Sequence, residues 1–173
     1  MTFVIICIRG GLMSLFKKNK RACCFTGHRT VPVSERDGVK ARLVRELEAL
    51  ISDGVEVFIA GGALGFDTMA ALAVLELKSS YPEIRLHLAL PCENQTKGWS
   101  ERAVSLYNSI IDRADEVVYT SREYTSGCMH IRNRYMVDNS EVCIAYKTRE
   151  SGGTAYTVRY ALEKGKRVIN VAE

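Results

Sequence analysis

The chain is poor in the residues that build metal and redox centres. It holds 3 histidines, and none of its 6 cysteines forms a C-x-x-C pair, so zinc-ligand spacing is absent. Cys23, Cys24, Cys92 and Cys143 fall in apolar, strand-like runs, where a free thiol behaves as a small hydrophobe. A reduced, cytoplasmic protein is expected rather than a disulfide scaffold. No apolar run approaches the roughly 20 residues that cross a bilayer, so no membrane association is expected. The run Phe3 to Ile8 is short, with no basic residue ahead of it and no small-residue cleavage site, which argues against a signal peptide. The lysine of a P-loop and the G-x-G-x-x-G turn of a dinucleotide fold are also missing.

Charge of one sign is scarce as well. The formal net charge is +4, from 24 basic and 20 acidic residues. Arg9, Lys17, Lys18 and Lys20 all lie in a leading stretch without acids, which leaves 20 basic against 20 acidic residues from Arg21 onward. A sequence-independent nucleic-acid binder carries a basic excess, so nucleic acid is the disfavoured partner. Residues 1–20 are expected to be a disordered N-terminal extension, with Met13 an alternative start to Met1. Residues 21–173 are then long enough for one domain with a sizeable core.

What is present is a regular alternation of apolar runs and helical stripes. Strand patterns run over Ala22–Thr26, Val55–Ala60, Arg85–Leu90, Glu116–Thr120, Glu141–Tyr146 and Arg167–Val171. Between them, Ser34 reads as an N-cap for a helix with the stripe Val39, Leu43, Leu47 and Leu50. Thr68–Leu77 is apolar nearly all round, the mark of a buried helix. Glu101–Ala114 carries the stripe Ala103, Leu106, Ile110 and Ile111, and Met129–Asn139 and Thr154–Lys164 complete five helices. Six strands alternating with helices imply a single α/β, Rossmann-like, three-layer domain. Its sheet is mostly parallel, with helices on both faces. Ligands of such sheets bind beyond the carboxyl ends of the strands.

Two glycine-rich turns fall at such ends: Gly61-Gly62-Ala63-Leu64-Gly65-Phe66-Asp67 and Ser151-Gly152-Gly153-Thr154. Each puts backbone N–H groups at a helix N-terminus, where the helix dipole favours an anion. A phosphate-bearing ligand is the expectation for both, beside the plainer reading of tight turns and caps. Asp67 fits a ribose-hydroxyl acceptor and equally a first-turn acid placed by the dipole. Thr26-Gly27-His28-Arg29 ends the first strand, and Arg29 is a reasonable phosphate clamp. Arg132 and Arg134, two apart on a helix, face different ways, so one is expected to fork onto an anion and the other to be solvated. Trp99, the only tryptophan, suits base stacking or core packing. No catalytic constellation can be read from spacing. The acids near the crevice, Asp67, Glu93 and Glu101, are too few and too scattered for a carboxylate pair, and Asp67 and Glu93 are the catalytic candidates.

As a set these motifs resemble the SLOG superfamily, which includes the DNA-processing protein A domain and the lonely-guy phosphoribohydrolases. Its YpsA-like bacterial branch is the nearest in look, and Pro91, Glu93, Gln95 and Trp99 fit that branch. The resemblance implies a nucleotide-binding, self-associating domain, a homodimer or a higher oligomer. Its pocket would be formed by both glycine turns and the first-strand loop. Ligand contacts are implied for Thr26, Gly27, Arg29, Gly61, Gly62, Gly65, Asp67, Arg132, Ser151, Gly152, Gly153 and Thr154. No metal and no further cofactor is implied. Two alternatives stand beside ligand sensing. One is hydrolysis of an N-glycosidic bond, although Ala155-Tyr156-Thr157-Val158 stands where the hydrolases place an acid. The other is single-stranded DNA binding.

Overall fold

The computed structural model describes residues 20–172; of the leading extension, residues 1–19 lie outside the described residues, and Lys20 pairs with Glu56 of the domain. Strands β1 (Arg21–Gly27), β2 (Val55–Ala60), β3 (Arg85–Leu90), β4 (Glu116–Tyr119), β5 (Val142–Tyr146) and β6 (Arg167–Asn170) form one sheet. Its order is β4-β3-β2-β1-β5-β6, and every neighbouring pair is parallel. The chain winds outward from β1 to β4, then returns to the other side of β1. The direction of winding therefore reverses between β1 and β5.

Parallel strands need crossovers, and right-handed crossovers put the helices before and after a reversal on opposite faces. Helices α1 (Arg36–Ser52), α2 (Phe66–Leu77) and α3 (Glu101–Arg113) serve one face. Helices α4 (Cys128–Asp138) and α5 (Gly153–Glu163) pack together on the other. The larger core lies on the first face, where Leu43 and Leu47 of α1 meet Phe58 and Leu86 of the sheet, all fully buried. Burying side chains of this size contributes about 1.5–3 kcal/mol each. The second core joins Ala22, Cys24, Ile59 and Cys143 to Met136, Val137 and Ala161. The five described cysteines are all free and buried.

Four local expectations are corrected. Ser34 does not cap α1: it sits in a 3-10 turn, Val33–Glu35, and Glu35 occupies the N-cap without a side-chain bond. Helix α2 begins two residues earlier than its apolar run, because Gly65 at φ +80° turns the chain directly into Phe66. Cys92 lies beyond the end of β3. The stripe on α3 buries only Ile110, and Leu106 remains 39% exposed. The last difference matters most. The apolar side of α3 does not press onto the sheet along its whole length, and the space beneath it is a cleft.

Candidate functional site

The β2–α2 turn is held closed by its own residues. Asp67 is 5% exposed, and its carboxylate accepts from the Gly61 N–H at 3.0 Å and the Ala63 N–H at 3.5 Å. The Arg132 guanidinium, also 5% exposed, reaches over from α4 and donates to the Gly61 carbonyl. Gln95 donates from Nε2 to the Gly62 carbonyl at 2.7 Å, and Thr68 donates to the Ala63 carbonyl at 2.9 Å. Burial pushes the Asp67 carboxyl above its usual range, against the opposing pull of Arg132 and the two N–H donors. Both ionisable groups thus spend their bonding capacity inside the fold. The glycines are needed for the same reason. A Cβ at Gly61 would collide with Arg132, and one at Gly65 would strike the backbone of Arg29.

The β5–α5 turn is open. Ser151, Gly152 and Gly153 are exposed, and a Cβ at either glycine would meet nothing within 4 Å. Gly152 caps α5 with no side-chain bond, at φ +90°. Among the described residues, no hydrogen bond ends on the N–H groups of Ser151 through Thr154. Thr154 itself is buried. The first turn of α5 is steadied instead by Thr157, which donates to the Gly153 carbonyl at 2.8 Å and accepts from Asn133 Nδ2 at 2.8 Å.

Three consecutive residues of α4 therefore serve three places. Arg132 holds the first turn and Asn133 holds the helix after the second. Arg134 lies outside, its guanidinium 5.7 and 5.8 Å from the ring centres of Tyr156 and Tyr160. Helical geometry sends neighbouring side chains in different directions, and here each direction finds a different partner.

The boundary between β1 and β5, where a doubly wound sheet usually opens, is filled. The Tyr146 ring packs against His28 and Phe66, each at 5.8 Å between ring centres. His28 accepts the Thr148 N–H on Nε2 at 3.0 Å, and its carbonyl takes the first N–H of α2 from Phe66 at 3.1 Å. His28 is a clasp between the two turns, and burial, then Arg149, hold its titration below the ordinary value. Tyr146 drew no attention in the sequence. Its phenol donates to Glu35 at 2.6 Å, tying β5 to the start of α1. Thr26 is buried within β1, and a Cβ at Gly27 would run into the Phe66 ring.

Open space lies one strand over. A cleft of about 400 Å³ runs beneath α3, bounded by Arg29, Arg36, Gly62, Gly65, Trp99 and Tyr107 among others. A second, of about 500 Å³, lies between the loop after β3 and the loop after β4, bounded by Arg29, Asn94, Gln95, Lys97, Trp99 and Tyr124. Arg29 and Trp99 border both. The Trp99 ring stands edge-on to Tyr107 at 5.5 Å, so packing on one side leaves the indole on the rim of both clefts. Residues 151–154 border neither cleft, and Glu93 is exposed outside both. No group of three or more metal-ligating side chains occurs among the described residues. No described helix is long and apolar enough to cross a membrane.

This arrangement defines a doubly wound, all-parallel α/β domain with a cationic and aromatic cleft at the carboxyl edge of its sheet. The model of the YspA SLOG family matches residues 23–170, and the chain belongs to that family. A UPF0398 protein of Bacillus thuringiensis (strain Al Hakam) is 33% identical over 131 residues, covering 74% of this chain and 71% of that one. Among solved structures, DNA processing protein A of Streptococcus pneumoniae superposes with a TM-score of 0.66 at 18% identity, over 86% of this chain. The match takes in 49% of that protein, so the chain spans about half its length. DNA processing protein A of Helicobacter pylori, described for its single-stranded DNA binding mode, gives 0.62 at 20% identity, over 86% of this chain and 63% of that one. At these identities the two structural likenesses are of fold.

Proposed function

We propose that the carboxyl edge of the sheet binds a nucleotide or a nucleotide-derived phosphate ligand, with no further cofactor. One observation carries this reading: Arg29 and Trp99 stand together where two clefts of about 400 and 500 Å³ meet. An exposed guanidinium suits a phosphate, and an indole on a cleft rim suits a base. Gly62 and Gly65 border the first cleft and let the turn pack closely against Leu90 and the Arg29 backbone. The uncapped amides of Ser151 to Thr154 offer a second contact for negative charge at the α5 N-terminus. Asp67, at the border of the first cleft, and Arg132 and Gly61 behind it fix the shape of the turn, and Thr26 and Gly27 seat the first-strand loop.

Binding or sensing is favoured over N-glycosidic hydrolysis by the same geometry. Hydrolysis asks for a carboxylate free to face the anomeric carbon. Asp67 borders the first cleft, but its carboxylate is committed to the N–H groups of the turn, and Glu93 borders neither cleft. Single-stranded DNA binding, the property described for the H. pylori neighbour, calls for a basic excess that residues from Arg21 onward lack. Self-association, checked by light scattering, is the expected state.

Calorimetric titration with AMP, ADP-ribose and cyclic nucleotides tests the proposal. A saturable isotherm is expected for at least one of them, weakened tenfold or more by Arg29→Ala. Flat isotherms across the panel, or equal affinity in the variant, would count against it.

A further inference from the structure

The cleft between the loops after β3 and β4 has a composition the sequence did not reveal. Its border holds two aromatic rings, Trp99 and Tyr124, two amide side chains, Asn94 and Gln95, and two cations, Arg29 and Lys97. Tyr124 is 63% exposed, so its ring is open to a guest in the cleft.

Gln95 is the informative residue. It is 8% exposed, and its amide orientation is fixed chemically: the Gly62 carbonyl at 2.7 Å is an acceptor, so the group facing it must be the NH2. The other end, Oε1, is buried and has no hydrogen-bond partner among the described residues. A buried acceptor left alone is costly, and buried polar groups are paired in nearly all native structures. Gln95 itself borders the cleft, so its unpaired acceptor lies beside the space a guest would fill. A guest that completes this group must bring a hydrogen-bond donor, N–H or O–H.

We infer that this cleft is a nucleobase subsite selective for bases with an exocyclic amino group, which donates to Gln95 Oε1 while the ring lies against Trp99 and Tyr124. The inference rests on the nucleotide reading above and sharpens it. Adenine and cytosine present an amino donor where hypoxanthine and uracil present an oxo acceptor. An oxo group set against Oε1 leaves two acceptors facing each other, so the penalty for the wrong base exceeds the loss of one bond.

The test is paired titration of AMP against IMP and of CMP against UMP, with the wild-type chain, Gln95→Leu and Tyr124→Ala. At least one amino-bearing nucleotide is expected to bind tenfold or more tightly than its oxo partner. Gln95→Leu is expected to bring that ratio close to one. Tyr124→Ala, at an exposed position, is expected to weaken both members of a pair alike and leave the ratio intact. Wild-type binding without preference within either pair overturns the inference and leaves the nucleotide reading standing. So does a preference that persists in Gln95→Leu. No binding of any of the four nucleotides overturns the inference, and flat isotherms with ADP-ribose and the cyclic nucleotides as well remove the nucleotide reading. The wild-type ratios alone decide the matter should Gln95→Leu fail to fold.

Discussion

The two glycine-rich turns share one edge of the sheet and use the same residue for opposite ends. In the turn after β2, glycine makes room for the protein: Asp67, Arg132 and Gln95 occupy the backbone groups that a ligand would otherwise take. In the turn after β5, glycine leaves room empty, and the amides of α5 face open space. A glycine motif at a strand end therefore does not by itself announce a phosphate site. What separates the cases is an acid six residues on, able to fold back and satisfy the turn. Asp67 stands at that distance from Gly61, and the second turn has no such acid, since Thr157 occupies the equivalent reach.

This contrast can be broken at either turn. The largest effect is expected for Asp67→Ala, which leaves two N–H donors unpaired and the buried Arg132 without its opposing charge. Removing one partner of a buried charge pair costs about 3–5 kcal/mol, read as a lower midpoint in chemical denaturation. Gly65→Ala comes next. Its Cβ would strike the Arg29 backbone at a φ of +80°, and the combined strain is expected to cost about 2–3 kcal/mol. Gly153→Ala is the matched control. With nothing within 4 Å and an ordinary φ, it is expected to change stability by less than about 0.5 kcal/mol. Equal losses at Gly65 and Gly153 would erase the distinction between the turns.

The smallest effect concerns the clasp between them. His28 accepts the Thr148 N–H only while Nε2 is unprotonated. Burial, then Arg149, lower its folded pKa below the ordinary 6.5. The stabilisation is complete above that unfolded value and is lost as pH falls through the lowered folded one. The difference in Tm between the wild-type chain and His28→Ala should therefore be widest above pH 6.5 and close on acidification. A difference that widened in acid would assign His28 another role.

Alternating patterns made the architecture legible. Each of the six strands and five helices lies within two residues of its expected bounds, since period-2 and period-3.6 patterns survive translation into a buried sheet and one-sided helices. The site was legible in part. Arg29, Trp99, Gly62 and Gly65 do line open space. Thr26 and Arg132, however, are interior, and the β1–β5 boundary between the two glycine turns is filled by His28, Tyr146 and Phe66. That filling depends on residues 28, 66 and 146 meeting in space, a long-range fact with no local pattern. Gln95 entered only through the family resemblance and Tyr124 was hidden, because each sits in a loop whose composition reads as polar connection. One clue was available: the apolar stripe of α3 includes Leu106, whose exposure follows from the cleft beneath that helix.

Trp99 is the only tryptophan in the chain and borders both clefts, so its fluorescence reports directly on the proposed site. Titration with AMP, or with whichever nucleotide gives the strongest calorimetric signal, should produce a saturable change in emission. In Arg29→Ala the midpoint should move at least tenfold higher. An emission that stays constant while calorimetry shows binding would put the ligand elsewhere, and one that titrates identically in Arg29→Ala would remove the phosphate clamp from the site.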